Sequence, residues 1–562
     1  MLSNATLTLA QQLQPGLSAL SSVRSDPLML ACLAVVLTAL YLLAMPSTPR
    51  ITHARDTVQL LVTQRDKHTR VSLAALVKSQ CPSLKRPFYP TPLLFNGHMQ
   101  TFWAAAISKM PDLRADYDRE MLDLPDGGLV AIDWAPRFHT ELPSNSPIII
   151  MLHGLAGGSR ETYVLDFVPH ALKHGYRVAA LNFRGCGGVE IQTPQLYSGS
   201  FTDDVRHIVK YIHQQNPLAP LVGVGFSLGA NILMKYVGEE GKNCLLTTAV
   251  SVGNPFDLHI GLAFLHSTWI GKELYSKVMT QSLIQIYKKH QNRFEKSPNH
   301  PTHTGPIQTS KILNAKYLPD FDELATRRVF GFRSVSEYYR MGSSAQYIPD
   351  VAIPTLLLSD LDDPIAVREA IPVADVLQNP NIILAVTQRG GHLGWFEGIF
   401  APKRWFPTPV IEYVNAVVQA RQALPDHLQH KFVQQPHEAK KMHVHYGQTH
   451  NVLFPVHSKQ PSHSKESHSI GGVDVGTMTD SSNAEAKKPV LKSSTFQTTD
   501  IHGSSVGKQS AFARIFKYLT FLSSGQSLEA QMLGRFVALV LTGCALLLST
   551  KKYWANRKAI SA

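Results

Sequence analysis

Six short runs of almost wholly apolar residues, each followed by a stretch with helical spacing, leave this chain few architectures. They are Pro147–Gly154, Arg177–Gly185, Leu221–Ser227, Leu246–Pro255, Thr355–Asp360 and Ile382–Val386. A strand without polar alternation is buried on both faces, and such strands alternating with helices form a mainly parallel sheet covered by helices on both sides. The expected class is therefore α/β. Leu122–Trp134 alternates instead, around Asp126-Gly127-Gly128, which predicts a hairpin. Phe256 to Tyr347 interrupts the rhythm. It carries Trp269, Tyr275, Tyr287 and many aliphatic residues at helical spacing, and reads as a helical cap inserted over the sheet.

This pattern places the folded domain at about residues 84–424, with the cap at 256–347. The remainder differs in composition. Residues 27–46, after an N-terminal segment 1–26, include the uncharged run Pro27–Met45, long enough to cross a bilayer core as an anchor. A cleaved signal peptide is the alternative, disfavoured by the late start and the weak basic flank. Residues 425–510 are rich in Ser, His, Lys, Gln and Thr without strong periodicity, the signature of a disordered linker. Residues 511–562 combine a basic, apolar stretch (Ala511–Leu522) with a short apolar run (Phe536–Ser549) and a basic end, as a membrane-associated tail would. Arg50 and Arg55 after the first stretch favour a cytoplasmic folded domain; the basic cluster after Leu548 favours a cytoplasmic C-terminus, and the two conflict if both stretches span. The expected location is an endomembrane, such as the endoplasmic reticulum or lipid droplets, with one or two anchors.

The formal net charge is +13, but the chain from Pro425 onward holds sixteen Lys and Arg against eight Asp and Glu and so supplies eight of those charges. A basic tail beside apolar stretches suits an anionic membrane surface, and no nucleic-acid partner is expected. The five cysteines are scattered, with neither a disulfide framework nor zinc spacing. The linker histidines also lack metal-ligand spacing, so no metal or other cofactor is expected.

The sharpest motif is Gly225-Phe226-Ser227-Leu228-Gly229, between an apolar strand and the helical stretch Ala230–Val237. A serine in a tight strand-to-helix turn needs small neighbours, and its hydroxyl then projects at a helix N-terminus, where developing negative charge is favoured. A serine hydroxyl also needs a general base. In chain order an acid and then a histidine should follow. Asp363, where the chain leaves the Thr355–Asp360 run, is the favoured acid, with Asp360 and Asp362 as rivals. His392, within Gly390-Gly391-His392, is the expected base; His153 falls too early in the chain. An oxyanion hole needs two backbone N–H groups. Leu228, after the serine, and Leu155, in the small-residue loop His153–Gly158, should supply them. That loop lacks the glycine spacing of a phosphate cradle.

At these residues the chain resembles a known family. The runs HGLAGGSRETYV, LNFRGCGG, GFSLGANILMKYVGEEG, VGNPFDL and GGHLGWFEG, with FYPTPLLFNGHMQTFW upstream and FDELATRRVFGFRSVSEYYR before the acid, are similar to the AB hydrolase 4 family of membrane-associated lipid hydrolases. The resemblance spans roughly Arg86 to Val414, and the HGLAGGS and GEEG forms look most like its fungal branch. It implies an α/β-hydrolase fold, a triad at Ser227, Asp363 and His392, and a lipid-like ester substrate such as a monoacylglycerol or medium-chain ester. Acyl transfer from acyl-CoA to an alcohol is the alternative, and a non-catalytic lipid-binding protein a third. An H-x4-D motif described for some relatives is absent; the nearest form runs from His392 to Glu397.

Overall fold

The computed structural model describes residues 45–64, 67–107, 115–296, 303–399, 401–429 and 432–434. The stretches at 1–26, 27–46 (but for its last two residues) and 511–562 lie outside the described residues, as does the linker stretch 425–510 beyond residue 434. The first part of that linker is folded instead, with Asp426–Gln429 helical, Phe432 buried in the core and Val433–Gln434 paired with Gln59 and Leu60, because these residues pack on the N-terminal strands. Among those described, no helix is long and apolar enough to cross a membrane.

A nine-stranded sheet forms the centre. Its strands are β1 (Arg50–His53), β4 (Asp118–Asp123), β5 (Leu129–Ala135), β6 (Ile148–Leu152), β7 (Arg177–Asn182), β8 (Leu221–Phe226), β9 (Thr248–Val252), β10 (Thr355–Asp360) and β11 (Ile382–Thr387); β2 (Gln59–Gln64) and β3 (Lys67–Ser72) pair in a small separate sheet. The order is β1-β11-β10-β9-β8-β6-β7-β5-β4. The six inner strands are the apolar runs of the sequence, and every pairing among them is parallel. Antiparallel pairings finish both edges: β1 on β11, β5 on β7, and the β4–β5 hairpin that turns at Asp126–Gly128. The helices used below are α1 (Leu73–Gln80), α2 (Gly97–Ile107), α3 (Thr162–Lys173), α4 (Asp203–Gln215), α5 (Leu228–Glu240), α6 (Leu258–Ser267), α7 (Lys277–Glu295) and α8 (Pro407–Gln422).

Alternate residues of each inner strand serve two cores. Met151, Val224, Val252, Leu358 and Ile383 belong to one, shared with α3 and α8. Ile150, Leu221, Leu357 and Leu384 belong to the other, shared with α4 and α5. Both faces of the sheet are thereby covered, as an all-apolar parallel strand requires. Between β9 and β10 the described chain is helical and has a core of its own, including Leu283, Tyr287, Phe294, Phe321 and Val329. This is the inserted cap.

The fold begins before residue 84, where the sequence pattern first becomes regular. β1 completes the sheet edge, and Val58, Leu60, Leu73 and Val77 are buried in the same core as Val410, Val414 and Val418 of α8. Their partners lie more than three hundred residues away, so no local pattern marks them.

Candidate active site

The strand order reverses direction at β6: the chain goes to β7 on one side and then to β8 on the other. Open α/β sheets bind ligands beyond the carboxyl ends of the strands at such a point. β6 ends at His153 and its loop, β8 at Ser227, β10 at the Asp360–Asp363 loop, and β11 runs on to the loop carrying His392.

Ser227 has φ 52° and ψ −122°, in a turn that opens directly into α5. A non-glycine residue held at positive φ costs of order 1–3 kcal/mol and persists only where its surroundings fix it. Its N–H donates to the Val252 carbonyl at 3.0 Å, and its own carbonyl accepts from Ala230 and Asn231 in the first turn of the helix. The flanking glycines are required by space. A Cβ on Gly225 would lie 2.6 Å from Ala230 Cα, and one on Gly229 would lie 2.4 Å from the carbonyl oxygens of both Leu152 and His153.

His392 Nε2 is 2.7 Å from Ser227 Oγ, and its Nδ1 is 2.8 Å from Asp363 Oδ2. A carboxylate only accepts, so Nδ1–H donates to it and Nε2 is left to accept the serine proton. The other oxygen of Asp363 accepts from the backbone N–H groups of Ile365 (2.7 Å) and Ala366 (2.8 Å), which fixes the carboxylate plane. The rivals of the sequence reading stand elsewhere. Asp362 Oδ1 accepts from the N–H groups of Gly390 (2.9 Å) and Gly391 (3.1 Å), and Asp360 Oδ1 from that of Gly391 (3.2 Å). Both anchor the loop that presents the histidine. Burial, reinforced by Asp363 and Asp362, holds the Asp360 carboxyl well above the usual carboxylate range.

The loop after β6 is held without using the N–H of Leu155. Gly154 N–H donates to Tyr163 Oη at 2.9 Å, Ala156 N–H donates to Tyr197 Oη, and Tyr197 donates to the Gly154 carbonyl at 3.2 Å. His153 is a strut of this loop. Its Nδ1 donates to the Gly154 carbonyl (2.7 Å) and its Nε2 accepts from Phe183 N–H (3.3 Å), while burial pushes its pKa down to about 4. Among the described residues, the N–H groups of Leu155 and Leu228 meet no acceptor. Both residues line the cleft that contains Ser227.

Two contributions lay outside the sequence reading. Thr101 of α2 accepts from the backbone N–H of His392 at 2.9 Å and donates to the Gly97 carbonyl at 2.7 Å, so the FNGHMQTFW segment braces the histidine loop. Asp322 is a buried carboxylate in the cleft wall, bonded to the hydroxyls of Thr326 (2.6 Å) and Tyr339 (2.7 Å). It opens a π-turn, Asp322–Thr326, of the kind often found at functional sites. Burial raises its pKa to about 6. The spacing of FDELAT gave no sign that one carboxylate of this segment faces inward.

The cleft above Ser227 is open to solvent on one side and roofed by the cap, with Leu258, Leu262, Leu265, Met279 and Leu283 among its walls. Its lining is aliphatic and aromatic apart from Ser227, Ser198, Asp322, Thr326 and the tyrosine hydroxyls. No group of His, Cys, Asp and Glu among the described residues is disposed to hold a metal ion.

Comparison with known proteins agrees with this architecture. The family described as alpha/beta hydrolase fold matches residues 147–399. The embryogenesis-associated protein EMB8 of Picea glauca is 36% identical over 386 residues, covering 67% of this chain and 82% of the relative. A monoacylglycerol lipase of Saccharomyces cerevisiae is 29% identical, covering 63% and 86%. The human phospholipase ABHD3 is 30% identical, covering 62% and 83%. Sheet order, strand-end loops and these relatives agree: the chain is a hydrolase and belongs to the α/β-hydrolase fold family.

Proposed function

We propose that this chain is a serine carboxylic-ester hydrolase acting on lipid-like esters, monoacylglycerols or medium-chain acyl esters, through an acyl-serine intermediate. The observation that carries the reading is the continuous hydrogen-bonded line Asp363–His392–Ser227 at the base of an apolar cleft. Relatives named as a monoacylglycerol lipase and a phospholipase support a lipid substrate.

In this reading His392 Nε2 takes the hydroxyl proton as Ser227 Oγ attacks the ester carbonyl. Asp363 holds the imidazole in the required tautomer and stabilises its cation. The oxyanion is received by the N–H groups of Leu155 and Leu228, which have no partner to give up, at the N-terminus of α5. His392 then protonates the departing alcohol, the acyl group stays on Ser227, and water activated by His392 releases the acid. An alcohol in place of that water gives a new ester, the acyltransferase variant of the same chemistry. The apolar stretches 27–46 and 511–562 fit attachment to an endomembrane, from which such esters come; extraction of the full chain from membranes by salt alone would count against that attachment.

The test is a panel of esters differing in chain length and head group, with wild type against Ser227→Ala. Turnover should fall on the order of 10⁴-fold or more in the variant, and labelling by a fluorophosphonate should vanish. Equal labelling of the two proteins would refute an acyl-serine mechanism. Added ethanol distinguishes hydrolysis from ester synthesis by the product formed.

A further inference from the structure

The roof of the cleft has a second side. α6 turns Leu258, Gly261, Leu262 and Leu265 towards the cleft, and the same helix exposes Ile260 and Phe264. The exposed series continues through Trp269 (73% accessible), Leu274 and Val278, the last at the start of α7. Five exposed large apolar side chains within nineteen residues of one stretch mark a surface with a partner. From Leu258 to Val278 the sole acidic side chain is Glu273, and it is neutralised by Lys277 (2.6 Å) and hydrogen-bonded by Tyr317 (2.8 Å). Lys272 is the remaining charged side chain of the stretch, so its net charge is positive.

We infer that this outer face of the cap is a docking surface for a phospholipid bilayer, through which lipid substrate enters the cleft. The inference rests on the ester-hydrolase reading for its purpose, although the surface is observed independently of it. Three features select a bilayer over a protein partner. A helix apolar on both sides, one of them lining the cleft over Ser227, gives an ester a path from bilayer to site that avoids water. An exposed tryptophan three residues before Lys272 suits the boundary between acyl chains and anionic head groups. The chain also enters the described fold from the uncharged stretch Pro27–Met45, at an exposed Met45 two residues before Ser47, which pairs with Phe88 beside the exposed Tyr89. From there it leads to α2, whose His98 and Phe102 stack on Tyr275 of the cap, next to Leu274. The cap is thus packed on α2, which follows in the chain the segment that pairs with Ser47.

The experiment uses the full chain with vesicles of phosphatidylcholine and phosphatidylglycerol. Ile260→Ser with Phe264→Ser should lower turnover of a long-chain ester held in the vesicles about tenfold, while leaving turnover of a short, water-soluble ester unchanged. Vesicles with brominated acyl chains should quench Trp269, read as the difference between wild type and Trp269→Phe. Unchanged vesicle turnover together with no quenching at Trp269 overturns the proposal. Equal losses on both esters also overturn it, since the residues would then act through the fold. A wild-type dimer that dissociates in the double variant, without Trp269 quenching, would make a second copy the occupant. If wild type hydrolyses neither ester, the catalytic reading fails, and the quenching measurement still decides the docking.

Discussion

At the scale of single residues, the three aspartates after β10 separate roles that the sequence leaves entangled. The order of serine, acid and histidine selects the loop, and Asp363 is favoured within it by its place at the strand exit and by the family resemblance, but the sequence assigns no task to Asp360 and Asp362. In the fold Asp363 meets the imidazole, and Asp360 and Asp362 hold the glycines that carry it. Asp363→Asn should therefore lower kcat on the order of 10⁴-fold, because an amide cannot hold the required tautomer or stabilise the imidazolium. Asp362→Asn keeps an oxygen for Gly390 and Gly391 and should stay within about tenfold of wild type. Similar kcat values for the two variants would contradict the assignment. Asp322 gives a second test. Its folded pKa, raised to about 6 by burial, lies above the ordinary value, so the folded state favours the protonated acid. This group costs no stability below pH ~4, costs progressively more as pH rises towards ~6, and above that costs on the order of 3 kcal/mol. Asp322→Asn should remove this dependence, so the Tm difference between variant and wild type should grow in the variant's favour from pH 4 to 7. A constant difference across that range would mean that the buried carboxylate is not the cause.

At the scale of elements, legibility follows the range of the interaction that makes the element. The six inner strands could be located because burial on both faces writes itself into consecutive residues, and the β4–β5 hairpin because Asp126-Gly127-Gly128 is a local turn. The brace of α2 on the histidine loop could not, since Thr101 and His392 are far apart in the chain and a Thr in a helix carries no mark of its partner. The meeting of α5 with β6 shows how closely elements are set at the candidate site. Gly229 lets the first turn of α5 press against the carbonyls of Leu152 and His153, which brings the Leu228 and Leu155 amides into one cleft. A methyl group there meets the backbone of Leu152 and His153 and cannot be absorbed by a rotamer change. Gly229→Ala should lower kcat about 10²-fold, the scale of losing one oxyanion donor, and cost about 1–3 kcal/mol in stability. KM for a short ester should change far less than kcat. A variant of unchanged kcat would show that the helix can withdraw without disturbing the amides.

At the scale of the whole molecule, the question is how much chain the catalytic fold needs. The regular α/β pattern starts at about residue 84, yet the sheet is closed on one edge by β1, and β2, β3 and α1 cover the outer side of α8. Val58, Leu60, Leu73, Leu76 and Val77 are buried there. At about 1.5–3 kcal/mol for each fully buried aliphatic side chain, these five contribute on the order of 10 kcal/mol, comparable with the whole stability of an ordinary domain. Removing them would also bare β11 as an edge strand made of Ile382, Ile383, Leu384, Ala385 and Val386, a template for aggregation. A chain begun at Leu84 should therefore be insoluble. One running from Met45 to Gln434 should be soluble and hydrolyse a short ester at a rate close to that of the full chain. Size-exclusion chromatography and the soluble-ester assay on the two chains decide it. A monomeric, active product from the shorter chain would mean that the α/β pattern alone contains the folding unit and that the N-terminal layer serves another purpose.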